Sequence, residues 1–117
     1  MFTIYHNPRC TKSRATLALL NEHGIEPKII EYLKTPPTAK ELKAIVSKLG
    51  IEPEALVRKG EDVYKEKFAG KTLTATQWIE ALAANPILIE RPIVVHGDQA
   101  VIGRPPENVE TLILRRL

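Results

Sequence analysis

The chain contains one cysteine, Cys10, among its 117 residues, so no intramolecular disulfide can form and any zinc site would have to draw mostly on histidine and carboxylates. A disulfide-stapled secreted scaffold is therefore excluded. Aromatic residues are also scarce, at 5%, too few for a base-stacking platform. No segment approaches the roughly eighteen uninterrupted apolar residues of a membrane span. Met1-Phe2-Thr3-Ile4-Tyr5 has no basic stretch of the kind that opens a signal peptide. These absences predict a cytoplasmic, soluble protein without membrane association. Runs of one charge are missing too. The net charge of +3 comes from Lys and Arg interleaved with Glu, which argues against nucleic acid as the main partner and favours a small anion.

The residues that are present describe an ordinary globular chain. With 44% hydrophobic and 26% charged residues it can bury a core without a disulfide or a structural metal, and disorder is excluded. Its length is that of one domain, residues 1–117, without internal repeats or linkers.

Phe2 to His6 is β-branched and aromatic and stops at the turn dipeptide Asn7-Pro8, which predicts a strand. Thr11 to His23 reads as a helix closed by Gly24, and Lys28 to Leu33 as a second strand stopped by Thr35-Pro36-Pro37. A strand–helix–strand crossover of this kind pairs its strands in parallel. Thr38 and Glu41 form a capping box ahead of Leu42, Ile45, Val46 and Leu49, with Gly50 after them, and Thr74 with Gln77 repeats the pattern ahead of Trp78, Ile79 and Leu82. Short helical pieces are expected at Glu54 to Arg58 and Val63 to Phe68. Pro92 to His96 and Ala100 to Gly103 read as a hairpin about Gly97-Asp98-Gln99. Pro105-Pro106 opens a last helix whose Val109, Leu112, Ile113 and Leu117 share a face. The order predicts an α/β protein: a four-stranded mixed sheet flanked by helices on both faces, the thioredoxin-like plan with a helical insertion between its halves.

Cys10 falls just after the first strand and just before the first helix, where unpaired backbone N–H groups carry partial positive charge and favour a thiolate. Arg9, Lys12 and Arg14 add positive charge within one turn, and His6 lies four residues upstream. A lone cysteine is more often a small buried apolar residue. A position between Pro8 and a helix start, among polar and basic neighbours, instead points to a reactive thiol. His6 could merely cap the sheet, Thr11 and Ser13 could simply satisfy helix-start N–H groups, and His23 and His96 read as surface residues. The position three residues after Cys10 is Ser13, not a second cysteine, so any redox cycle must borrow a thiol from glutathione or a partner protein.

Two arginines sit in proline-flanked loops, Arg91 before Pro92 and Arg104 between Gly103 and Pro105. In the thioredoxin-like plan the loop before the third strand faces the active turn and carries a cis-proline, which Arg91-Pro92 would supply. Arginine forks suit tetrahedral oxyanions and would hold one near a thiolate.

The motifs Tyr5-His6-Asn7-Pro8-Arg9-Cys10-Thr11-Lys12-Ser13-Arg14, Tyr32-Leu33-Lys34-Thr35-Pro36-Pro37, Arg58-Lys59, Asn85-Pro86-Ile87-Leu88-Ile89-Glu90-Arg91-Pro92 and Gly103-Arg104-Pro105 occur in this order. Along essentially its whole length the chain resembles the bacterial glutaredoxin-dependent arsenate reductase family. The turn Arg9-Cys10-Thr11-Lys12-Ser13-Arg14 is similar to a chromosomal subgroup, whereas plasmid-type members carry Ala-Cys-Gly-Thr-Ser-Arg there and a longer C-terminal tail than this chain, which ends at Leu117.

The resemblance implies Cys10 as the nucleophile that attacks arsenate, His6 and Ser13 as catalytic residues that support the thiolate, and Arg58, Arg91 and Arg104 as the substrate-binding arginines. It implies no bound cofactor and no metal, glutathione as co-substrate, glutaredoxin as partner, and a monomer. Two alternatives are a thioredoxin-like adaptor whose Cys10 senses redox state without reducing arsenate, and a general glutathione-dependent oxidoreductase acting on protein disulfides.

Overall fold

The computed structural model describes residues 1–115. It divides into two compact units, one made of Met1–Thr35 with the segment from Arg91 onward, the other of Pro36–Glu90. No helix among the described residues is long and apolar enough to cross a membrane.

The first unit holds the sheet. Strand β1 (Phe2–His6) pairs in parallel with β2 (Lys28–Glu31) and antiparallel with β3 (Ile93–His96), which pairs antiparallel with β4 (Gln99–Ile102). Among the described residues this is one four-stranded mixed sheet in the order β2-β1-β3-β4, the thioredoxin-like arrangement expected. The period of two along β1 sends Phe2, Ile4 and His6 to one buried face. On that face Phe2, Ile4 and Val94 pack with Leu20 of helix α1 (Thr11–Glu22), with Ile25, and with Val109, Leu112 and Ile113 of helix α5 (Val109–Arg115). The same alternation thus carries His6, the last residue of β1, into the interior at the strand's end.

Helix α1 closes as its sequence predicts. Gly24 takes a left-handed φ of 74°, and Ile25 N–H donates to the Leu20 carbonyl at 2.9 Å. Strand β2 is shorter than expected and ends at Glu31, because the Glu31 carbonyl accepts from both Lys34 and Thr35 N–H at 2.9 Å and turns the chain ahead of the prolines. The hairpin turn is tighter than the sequence suggests. Gln99 pairs with His96, so Gly97-Asp98 alone forms the turn, with Gly97 at φ 61°. His96 is half-buried rather than a plain surface residue: its ring stacks on Phe2 with centroids 4.1 Å apart. Pro106–Asn108 forms a 3₁₀ turn before α5 begins at Val109. Leu117, expected on the apolar face of that helix, lies outside the described residues.

The second unit is helical. Helices α2 (Ala39–Leu49) and α4 (Ala75–Ala84) both start with complete capping boxes, Thr38 with Glu41 and Thr74 with Gln77. They bury Leu42, Ile45, Val46, Trp78 and Leu82 in this unit's core, where Tyr64 and Phe68 also lie against Trp78. Helix α3 (Asp62–Lys67) corresponds to the second short helical piece. The first piece differs. A 3₁₀ turn, Pro53–Leu56, gives way to extended backbone at Val57, which bridges Ile89. There Arg58 N–H donates to the Leu88 carbonyl at 2.7 Å and Glu90 N–H to the Leu56 carbonyl at 2.9 Å, so these donors are spent across the unit and not in a helix.

Candidate active site

The segment from Asn7 to Arg14 holds itself in place through its own hydrogen bonds. Cys10 N–H donates to the Asn7 carbonyl at 2.9 Å, closing a turn over Pro8-Arg9, while Arg9 N–H donates to Asn7 Oδ1 at 3.0 Å. Arg14 reaches back, with Nη1 donating to the Pro8 carbonyl at 2.9 Å and Nη2 to Thr11 Oγ1 at 3.4 Å. Cys10 is the N-cap residue of α1, in extended conformation, and its side chain makes no capping hydrogen bond. The N–H groups of the first turn are thus without an intrahelical partner, and the half-buried thiol stands at the positive end of the helix.

His6 and Ser13 meet beneath this turn. Both are buried, and His6 Nδ1 lies 2.6 Å from Ser13 Oγ, which also accepts from Asn7 N–H at 3.0 Å. Because Ser13 already accepts once, its own proton is available to Nδ1, which fits a neutral ring protonated on Nε2. Burial, the largest influence, holds the His6 pKa below its ordinary value of 6.5; Glu31, opposite it in the strand register, acts the other way, and Arg14 adds to the lowering. Burial thus disfavours the cationic form of His6, which meets Ser13 as a hydrogen-bonding group.

A pH dependence of stability follows. In the window between the lowered folded-state pKa and 6.5 the unfolded chain binds a proton at His6 that the folded chain excludes. This contribution is full above 6.5 and is lost as the pH falls through that window. Urea denaturation at about pH 7.5 and about pH 5.5 is expected to show lower stability at the acidic value, with a smaller loss in His6→Gln.

The arginine loops of the first unit are tied to α1. The Arg91-Pro92 peptide is cis, as expected, and so is Arg104-Pro105, which the sequence reading did not anticipate. Gly103 N–H donates to the Pro92 carbonyl at 2.8 Å, while buried Thr16 of α1 bonds the Lys12 carbonyl at 2.9 Å and the Gly103 carbonyl at 3.4 Å. A Cβ at position 103 would meet Thr16 Oγ1 at 2.5 Å and Pro92 Cγ at 2.8 Å, so this close approach requires glycine. Arg91 keeps Nε and Nη1 buried without a hydrogen-bond acceptor among the described residues, and Arg104, which follows Gly103 in the other loop, is half-buried.

Arg58 belongs to the second unit and is ion-paired there, with Glu61 and with Glu90. Of the six residues singled out from the sequence, then, His6, Cys10 and Ser13 form one connected turn, and Arg91 and Arg104 lie on loops joined to the same helix. The sequence reading missed Asn7 and Arg14 as organisers of the turn, Thr16 and Gly103 as the join to the loops, and Glu61 and Glu90 beside Arg58. An Asn preceding a proline and a glycine preceding Arg-Pro were the available signals. A cleft of about 220 Å³ lined by His6, Asn7, Pro8, Arg9, Glu31, Leu33 and Lys34 opens beside the turn.

Residues 5–112 match the ArsC family. The chain is 48% identical over 112 residues to the uncharacterized protein YfgD of Escherichia coli K12, covering 94% of each chain. It is 45% identical over 112 residues to an arsenate reductase of Neisseria meningitidis, covering 94% of this chain and 96% of the relative. The solved structure of an arsenate reductase from Vibrio cholerae superposes with a TM-score of 0.91 at 49% identity, covering 94% of this chain and 95% of that one.

Proposed function

Since this chain belongs to the ArsC family, we propose that it is an oxidoreductase that reduces arsenate to arsenite through Cys10, with glutathione and glutaredoxin supplying the reducing thiols. The observation that carries the reading is the position of Cys10, a lone thiol acting as N-cap of α1 while capping nothing. Cys10 stands at the positive end of α1, and the residue is half-buried in a polar turn rather than enclosed in the core. Arg91 supports the same reading. A guanidinium with two buried, unsatisfied donors is completed by an external anion, and tetrahedral oxyanions match its fork.

In this mechanism the Cys10 sulfur attacks arsenic and displaces hydroxide, which leaves as water on taking a proton. A glutathione thiol displaces a second hydroxide in the same way. A glutaredoxin thiolate then attacks the glutathione sulfur, forming a mixed disulfide and leaving two electrons on arsenic, now As(III), still bound to Cys10. Water releases arsenite and restores the thiol. Arg91, Arg104 and Arg58 bind the oxyanion and offset the charge of the attack. His6 and Ser13 support Cys10 by holding the turn through their mutual bond and the bond to Asn7 N–H. The enzyme works as one domain and as a monomer in the cytoplasm, without a bound cofactor or metal.

The test is arsenite production from arsenate with purified protein, glutathione, glutaredoxin and NADPH-coupled glutathione recycling. One NADPH oxidised per arsenite, with both thiol components required, is the expected result. Absence of arsenite under every combination, with Cys10 still exchanging with glutathione disulfide, would instead identify a redox-sensing adaptor.

A further inference from the structure

Arg58 stands between two carboxylates of its own unit: Nη1 is 3.2 Å from Glu61 Oε2 and Nε is 3.2 Å from Glu90 Oε1. The three side chains are 22%, 28% and 29% exposed, so solvent screens them only in part. The two carboxylates are held differently, although Glu61 too has a backbone tie, its N–H donating to the Arg58 carbonyl at 3.3 Å. Glu90 is anchored through the backbone, because the Val57–Ile89 bridge and the Arg58-to-Leu88 and Glu90-to-Leu56 hydrogen bonds fix its position relative to Arg58. Glu61 follows the Lys59-Gly60 break and is the N-cap of the short helix α3, where its side chain makes no capping bond. Its ion pair also leaves Nη1 buried without an aligned acceptor. Glu61 thus neutralises the guanidinium without satisfying its donor.

A guanidinium offers a bidentate partner either its Nε side or its Nη1/Nη2 end. Glu90 takes the first and leaves the second for an anion, and Glu61 occupies half of it. One guanidinium with two carboxylates carries a net charge of −1, so an anion cannot simply add to the cluster and must replace a carboxylate. We infer that Glu61 is an internal competitor for the Nη end of Arg58, displaced when a tetrahedral oxyanion binds, and that Glu90 is the positioning residue that keeps that end presented. The inference deepens the proposed function and rests on Arg58 binding the oxyanion. Competition of this kind selects against weak acceptors, since an anion has to outbid a carboxylate for the fork.

The experiment measures binding of inorganic phosphate and of arsenate by calorimetry in the full chain carrying Cys10→Ser, which prevents turnover. Added Glu61→Gln is expected to tighten both anions by roughly three- to tenfold, and added Glu90→Gln to weaken them by a similar factor. With Cys10 intact, Glu61→Gln is expected to lower the KM for arsenate while leaving kcat unchanged, a split that a merely structural role would not produce. Glu61→Asp keeps the charge and serves as the folded control, with affinities near those of the parent. Anion affinities within about twofold of the parent in Glu61→Gln, or weaker, overturn the inference. If the parent binds both anions and Arg58→Lys weakens them, that result leaves the proposed function standing. If the parent binds neither anion and makes no arsenite, the proposed function falls and the inference with it.

Discussion

Cys10→Ser is expected to reduce arsenite formation to background, a loss of more than about 10⁴-fold, while the protein still folds and still binds oxyanion. Serine is close in size to cysteine, and the Cys10 backbone, which carries the bonds to Asn7 and from Arg14, is unchanged by the substitution. The side chain caps nothing in the parent, so its loss leaves no donor newly unsatisfied. What disappears is the sulfur. A serine hydroxyl at a helix start remains protonated near neutral pH, so it does not attack arsenic and no enzyme-bound adduct forms for glutathione to join. No other cysteine in the chain can substitute. Glutathione-dependent reduction that survived Cys10→Ser would show that the attacking group lies elsewhere.

Arg91→Lys is expected to slow arsenate reduction by about thirty- to several-hundred-fold, the rate equivalent of roughly 2–4 kcal/mol of lost transition-state stabilisation from one preorganised donor pair. Lysine keeps the positive charge but not the planar fork, and its single nitrogen cannot place donors where Nε and Nη1 stand buried and unsatisfied. The cis peptide to Pro92 and the Gly103 bond to the Pro92 carbonyl involve main chain only, so the loop is expected to persist. The paired control is the rate of Cys10 alkylation by iodoacetamide in the same preparation. That rate depends on the Cys10 turn and the start of α1 and is expected to stay close to the parent's. Reduction lost with alkylation retained assigns Arg91 to the oxyanion; reduction retained removes it from the site.

The strands and helices were legible because their signals are local. The two capping boxes, the glycines closing α1 and α2 and the strict alternation along Phe2–His6 each encode a backbone preference that neighbouring residues reinforce. Expectations failed where a backbone group found a partner far along the chain. Val57 and Arg58 read as helical, yet their segment pairs with Leu88 and Ile89. Gln99 read as turn, yet it pairs with His96. Neither partner is visible in a local window.

The same division runs through the candidate site. The sequence alone determined that one thiol precedes a helix, that no second cysteine can resolve it, and that arginines flank two prolines, because these are matters of residue type and order. Only the tertiary structure decided that His6 is buried and bonded to Ser13, since that depends on which face of β1 the sheet covers. Only it decided that Gly103 must be glycine, since the clash partners, Thr16 and Pro92, are distant in sequence. It also separated Arg58, held by two carboxylates, from Arg91, whose buried donors have no acceptor among the described residues. Three arginines look alike in a sequence. Their differences arise from desolvation and charge pairing, which exist only once the chain has folded.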